Sequence, residues 1–300
     1  MVGHGSIVPR RAYPGRMTSP DTGSTVGARR QPRHAPRQGY LWAFALAAIH
    51  AAVTTAVALG SATYGGFLPD SVVGAALQRW LGELVGLLLL MAVLGWTGWW
   101  RVTGLHRLTP RRDGWTVLPL LGLVVLGAVV GRFQYGQLLQ FRDIAAAQPS
   151  EIAAYALLVI LSGVASILLI YALIPRLLGG GGSRSPVAVV VMTGVVMGLT
   201  TVIDDLVFFL GTSLPFSDGL QDAGDILLSM LAQLLLVMPF VAVALRTGAP
   251  WLLLPVLLLR LVTVLPAEPW FWAYAALGAA YGLWVAATHR HEDAEVPSGL

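Results

Sequence analysis

The sequence predicts an all-α, polytopic membrane protein: a bundle of eight transmembrane helices with both termini on the cytoplasmic side. Three observations predict it. Only 11% of the 300 residues are charged while 56% are hydrophobic, against about a quarter charged in an ordinary soluble domain. Eight apolar runs are each long enough to cross about 30 Å of hydrocarbon, which takes roughly 20 helical residues. The arginines, finally, crowd into alternate connections between those runs.

In chain order the runs are 40–60, 80–100, 115–131, 152–174, 187–210, 225–245, 249–265 and 269–288. Each is continuously apolar rather than alternating, and backbone polar groups in lipid must pair within their own segment, so helices are expected and barrel strands are not. Trp80, Trp96, Trp99, Trp100, Trp115, Trp270 and Trp272 stand at run ends, the headgroup level that indole prefers. The membrane domain takes up residues 39–289. Ahead of it, residues 1–38 are rich in Pro, Gly, Ser and Arg and hold no apolar stretch that could be a signal-peptide core. They are expected to form a disordered, basic cytoplasmic tail, with Met17 as an alternative start to a shorter tail of the same kind. Residues 290–300 make a short cytoplasmic tail. The glycine-rich LLGGGGSRS, 177–185, lacks the GK[ST] ending of a phosphate loop and reads as a flexible connection.

Orientation rests on arginine, because the chain contains no lysine. Fifteen arginines fall where an N-in topology puts the cytoplasm, Arg101, Arg107, Arg111 and Arg112 among them, and three (Arg79, Arg132, Arg142) fall on the opposite side. Both termini are therefore expected inside. The basic balance is a topological bias, and a nucleic-acid partner is not expected. With no cysteine in the chain, disulfides, thiolate catalysis and Cys-ligated metals are excluded.

An ionisable group in lipid costs about 2.5–3.5 kcal/mol on insertion scales and so calls for an explanation. Five are candidates: His50 near the middle of the first run, Glu83 near the outer end of the second, Asp204 and Asp205 in the fifth, and Arg260 in the seventh. Counted at about 1.5 Å per residue, Asp204 lies roughly 26 Å into its run and Arg260 roughly 16 Å into its own, a difference an arginine side chain partly bridges. An ion pair between Arg260 and one aspartate is therefore expected. Adjacent helical residues point about 100° apart, so one aspartate should face the bundle and the other the outer water. The plainer readings are a charge pair that fixes packing, a hydrogen-bonded packing role for His50, and a Glu83 that snorkels to the interface beside Trp80. Gly194 with Gly198, and Gly278 with Gly282, stand at the four-residue spacing that lets helix backbones approach. Pro119, Pro239 and Pro255 can kink their helices and free carbonyls.

Two stretches carry a family resemblance. WWRVTGLHRLTPRRDGWTVLPLLGLVVLG, 99–127, resembles the region ahead of the catalytic helices in the CPBP family, the CAAX-protease and bacteriocin-processing intramembrane metalloproteases. LAQLLLVMPFVAVALRTGAPWLLLPVLLLRLV, 231–262, is similar to that family's Gln-led span, its R-T-G turn and the following helix. The resemblance implies catalysis by E-E-x-x-x-R, F-x-x-x-H and H-x-x-x-N/B motifs, whose glutamates and histidines activate a metal-bound water. The matching places are otherwise occupied. Ser166 and Ile167 stand for the glutamates and Tyr171 for the arginine. Met197 and Thr201 stand for the aromatic and first histidine, Arg260 and Val264 for the second histidine and the asparagine.

A catalytic zinc takes three ligands from His, Cys, Asp or Glu, and a guanidinium at a ligand position repels a dication. The resemblance therefore implies a member without catalytic residues, metal or cofactor, one that binds a peptide, lipid or protein partner. A carrier or channel lined by Asp204, Asp205, Glu83 and Arg260 is the second class of function, and an active protease with unusual ligands the third. Metal content separates the third from the others, and uptake into proteoliposomes separates the second from the first. The expected location is the plasma membrane, with the bilayer as one partner and an unidentified protein or peptide as another.

Overall fold

Helix formation follows the apolar runs closely. The computed structural model describes residues 39–64, 72–100, 103–110, 113–139, 148–179, 184–212 and 223–288; the expectations for the two tails, for Met17 and for the glycines at 180–182 lie outside those residues. The helices are α1 (Gly39–Tyr64), α2 (Val72–Thr97), α3 (Val117–Tyr135), α4 (Pro149–Ser166), α5 (Ile174–Gly179), α6 (Pro186–Thr212), α7 (Ala223–Thr247), α8 (Leu254–Val262) and α9 (Trp270–Ala287). Among the described residues the fold is all-helical apart from a single β-bridge, Leu139 to Thr263.

Among the described residues six stretches are long and apolar enough to cross a membrane: Gly39–Ser61, Arg79–Thr97, Gly114–Tyr135, Pro149–Gly179, Pro186–Val207 and Gly224–Thr247. The fourth is one rod in which a π-helical stretch, Ile167–Leu173, joins α4 to α5. Its start is fixed by local chemistry. Pro149 occupies the first turn, where no N–H partner is needed, and Gln148 and Glu151 form a reciprocal cap, the Gln148 N–H donating to Glu151 Oε2 at 2.9 Å. At α3, Gly136 takes φ 72° and its N–H closes on Arg132 O, a left-handed ending that glycine adopts without a Cβ clash.

The seventh apolar run departs from the uninterrupted helix expected over 249–265. A 3-10 turn, Pro250–Leu253, leads into α8, which stops at Val262. The chain then runs extended, and Val264 N–H donates to Leu138 O at 3.1 Å beside the Leu139 bridge. Backbone that leaves the helix among apolar surroundings must find partners in protein, and the loop after α3 supplies them. The prolines also divide. Pro255 lies in the first turn of α8 and Pro119 in that of α3, where a missing N–H costs little; only Pro239 of these three sits inside a helix, α7.

Packing uses small residues as expected. A Cβ on Gly198 would lie 2.8 Å from Met230 O, and one on Gly282 2.9 Å from Pro239 Cα, so α6 and α9 each approach α7 to backbone contact. α1 lies against α2 and α6, and α2 against α4. Leu90, Leu94, Ile167, Leu168, Leu173 and Val241 are among the fully buried side chains at the centre. At the junction of α3 and α9, Trp115 meets Trp284 edge-on with centroids 6.4 Å apart.

Candidate functional site

The five ionisable candidates divide into two polar groups. The first lies where α1, α2, α4 and α6 meet. Successive turns of α1 carry His50, Thr54 and Thr55, and the Thr55 hydroxyl donates to Asp204 Oδ1 on α6 at 2.8 Å. On α2, Gly82 and Gly86 leave room for α1: a Cβ at Gly86 would stand 2.8 Å from His50 Nε2, and one at Gly82 would overlap Thr54 O. Glu83 shares this part of α2. Its carboxyl bonds the Ser162 hydroxyl of α4 and feels the charges of Asp204 and of Arg79.

These positions follow from helix geometry. Glu83 and Gly86 are three residues apart and share a face of α2, so the glycine that admits His50 also sets the carboxylate near α1. Asp204 is half-buried and Asp205 exposed, the division that a 100° step between neighbours requires. Glu83 does not snorkel away from the bundle; it reaches Ser162. His50 departs from its expected role, for its Nε2 is fully buried and has no hydrogen-bond partner among the described residues.

Arg260 belongs to the second group. It stands in the last turn of α8, with Tyr274 of α9 as hydrogen-bond partner and Tyr171 of the π-helical stretch within electrostatic reach. The expected ion pair with Asp204 or Asp205 is not made: Asp204 is held by Thr55, and Arg260 has Tyr274 as its partner. The depths matched, but depth says nothing of direction around the bundle. α8 packs on α3 and α4, whereas Asp204 is tied to α1.

The Arg260 group borders a partly open apolar groove between α3, α7 and α9. Leu123, Val124, Leu236, Phe240 and Tyr274 are among its lining residues. Tyr274 lines the groove with its ring, which also covers Gly127, while its hydroxyl meets Arg260. The Tyr171 ring packs on Phe240 with centroids 5.7 Å apart. A phenol and a guanidinium do not fit a metal, since one is a weak ligand and the other a cation, and among the described residues no three of His, Asp and Glu gather closely enough to hold one.

One ion pair escaped the sequence reading. Arg246, at the end of α7, donates from Nε to Asp113 Oδ2 at 2.8 Å and from Nη1 to Thr288 Oγ1 at 2.6 Å and Val285 O at 3.2 Å. Asp113 itself takes φ 52° ahead of α3. No local signal marks partners 133 residues apart in the chain. Compared with protein-family models, curated proteins and solved structures, the chain matches none.

Proposed function

We propose that this chain is a plasma-membrane protein with eight crossings and cytoplasmic termini, CPBP-like in build, which binds a partner instead of cutting it. The observation that carries this reading is that Tyr171 lies within electrostatic reach of Arg260. The resemblance assigns those positions to the arginine and second histidine of one catalytic site, whose members must lie together. Tyr171 stands within electrostatic reach of Arg260, which supports that assignment, and the two offer a phenol and a guanidinium where hydrolysis needs a metal ligand and a base.

Reconstitution with zinc and a membrane-spanning reporter peptide tests this. The peptide should remain whole, and the purified protein should hold less than about one equivalent of tightly bound zinc, too few ligands converging for a catalytic ion. Stoichiometric zinc accompanied by cleavage defeats the reading. The topology has its own test: reporters fused at Gly65 and Gly219 should read outside and one at Gly180 inside, and an outside signal at Gly180 contradicts the arginine argument.

A specific observation favours a second reading, that of a carrier. Glu83, Asp204, Thr55, Ser162 and His50 gather between four helices, and intramembrane acids facing a bundle interior mark ion or proton paths in many membrane proteins. Cation uptake into proteoliposomes that is lost in Glu83→Gln and Asp204→Asn would favour the carrier over the binder.

A further inference from the structure

We infer that the turn at residues 104–110, between α2 and α3, is a docking surface for anionic phospholipid, with Leu108 set among the headgroups and Arg107 on a lipid phosphate. The surface lies apart from both polar groups described above and goes beyond the binding reading. The turn is held firmly against the bundle. Gly104 takes φ 79°, and a Cβ there would stand 2.8 Å from Gly248 O in the connection of α7 to α8. The Arg107 N–H closes on Gly104 O at 3.0 Å, and the Trp251 indole donates to Leu105 O at 2.7 Å. Leu105 fills the inward place and is buried, whereas Leu108, three residues on, is left 75% exposed.

Level, charge and chemistry together give the partner. The apolar stretch of α2 ends at Thr97 and that of α3 begins at Gly114, with Trp96 and Trp115 exposed beside those ends, at the headgroup level that indole favours. The connection between them carries Arg101, Arg107, Arg111 and Arg112 against a single acid, Asp113. Asp113 is engaged by Arg246 at 2.8 Å. Among the described residues Arg107 therefore meets no carboxylate, and its Nε donates instead to His106 Nε2 at 3.2 Å. An acidic segment arriving from water would have to bring its own apolar cover for Leu108. The bilayer supplies both parts at the height where the turn already stands: a phosphate diester accepts from the guanidinium, and the upper acyl carbons cover the leucine.

The chain holds no cysteine, so Leu108→Cys accepts a single fluorescent label and makes the test direct. The full-length labelled protein is placed in vesicles of equal parts phosphatidylglycerol and phosphatidylcholine, with a nitroxide on the upper acyl chain of one lipid or of the other. Quenching should be stronger when phosphatidylglycerol carries the nitroxide. Adding Arg107→Gln should cut that preference about fivefold, one arginine's share of the attraction to an anionic surface, and Arg107→Lys should keep most of it. The same label at Thr109→Cys, also on the exposed side of the turn, supplies the measurement if Leu108→Cys fails to fold. Equal quenching by the two lipids overturns the proposal, as does a preference that Arg107→Gln leaves unchanged. A label reached by acrylamide from the water and quenched by neither lipid overturns it in favour of a soluble acidic partner. Zinc content, peptide cleavage and cation uptake play no part in these readouts, so a failure here leaves the binding and carrier readings standing.

Discussion

The Thr55 hydroxyl donates to Asp204 Oδ1 at 2.8 Å and so ties α1 to α6 through side chains 149 residues apart. Hydrogen bonds between membrane helices contribute on average about 0.6 kcal/mol and at most about 1.7. Thr55→Val should therefore destabilise the protein within that range. Asp204→Asn, which keeps an acceptor oxygen, should lose less than Asp204→Ala. A double-mutant cycle read by unfolding in mixed micelles checks the tie, and zero coupling between the two positions would rule it out.

Asp204 and Arg260 belong to separate groups with no shared partner. Substituting both by leucine should then give the sum of the single effects to within about 0.3–0.5 kcal/mol, the ordinary tolerance for independent sites. Marked recovery of stability in the double variant would mean that the two charges do pair.

Arg246 joins three elements through Asp113, Thr288 and Val285, whereas Asp113 gives up one contact with it when neutralised. Arg246→Met should cost about 1–3 kcal/mol, since the partners of a partly buried charge are left unsatisfied. Asp113→Asn should cost about 1 kcal/mol or less, as befits a partly exposed ion pair. Thermal unfolding in detergent distinguishes the two, and equal effects would reduce the arrangement to a simple pair.

Glycine contacts supply a paired comparison. A Cβ on Gly198 would press on Met230 O at 2.8 Å, while one on Gly95 meets nothing within 4 Å. Gly198→Val should lose about 1–3 kcal/mol by overpacking. Gly95→Ala should gain about 0.5–1 kcal/mol through helix propensity. If both proved neutral, the α6–α7 approach would be looser than the structure has it.

Apolar run length located the helices because a long apolar stretch has no alternative to internal pairing in lipid. Where the chain left the helix, at Thr263, the letters LVTVL gave no warning, for the cause is a bridge to Leu139 in another part of the sequence. The separation of Asp204 from Asp205 was legible, since it depends on helical pitch alone. The partner of Arg260 was not: run position gives height along a helix, whereas partner choice depends on which helices lie side by side. Thr55, Ser162 and Tyr274 went unnoticed for a related reason. Hydroxyls are common in membrane helices, and only the fold distinguishes those that meet an acid or a guanidinium from those that bond their own backbone, as Thr54 does with His50 O.

The rod Pro149–Gly179 meets α2 and α8 before its π-helical stretch, α7 within it, and α1 and α6 beyond it. In a π-helical turn each N–H bonds one residue further back than in an α-turn, as Ile174 does with Leu169 O. The stretch therefore works like a spline cut with a step: the two halves of one shaft are keyed at different angles, and each set of teeth engages its own neighbours. A uniformly wound helix of the same length would hold one angle throughout. With α4 still seated on α2, the far end would turn its Leu177 and Leu178 away from the helices they now lock.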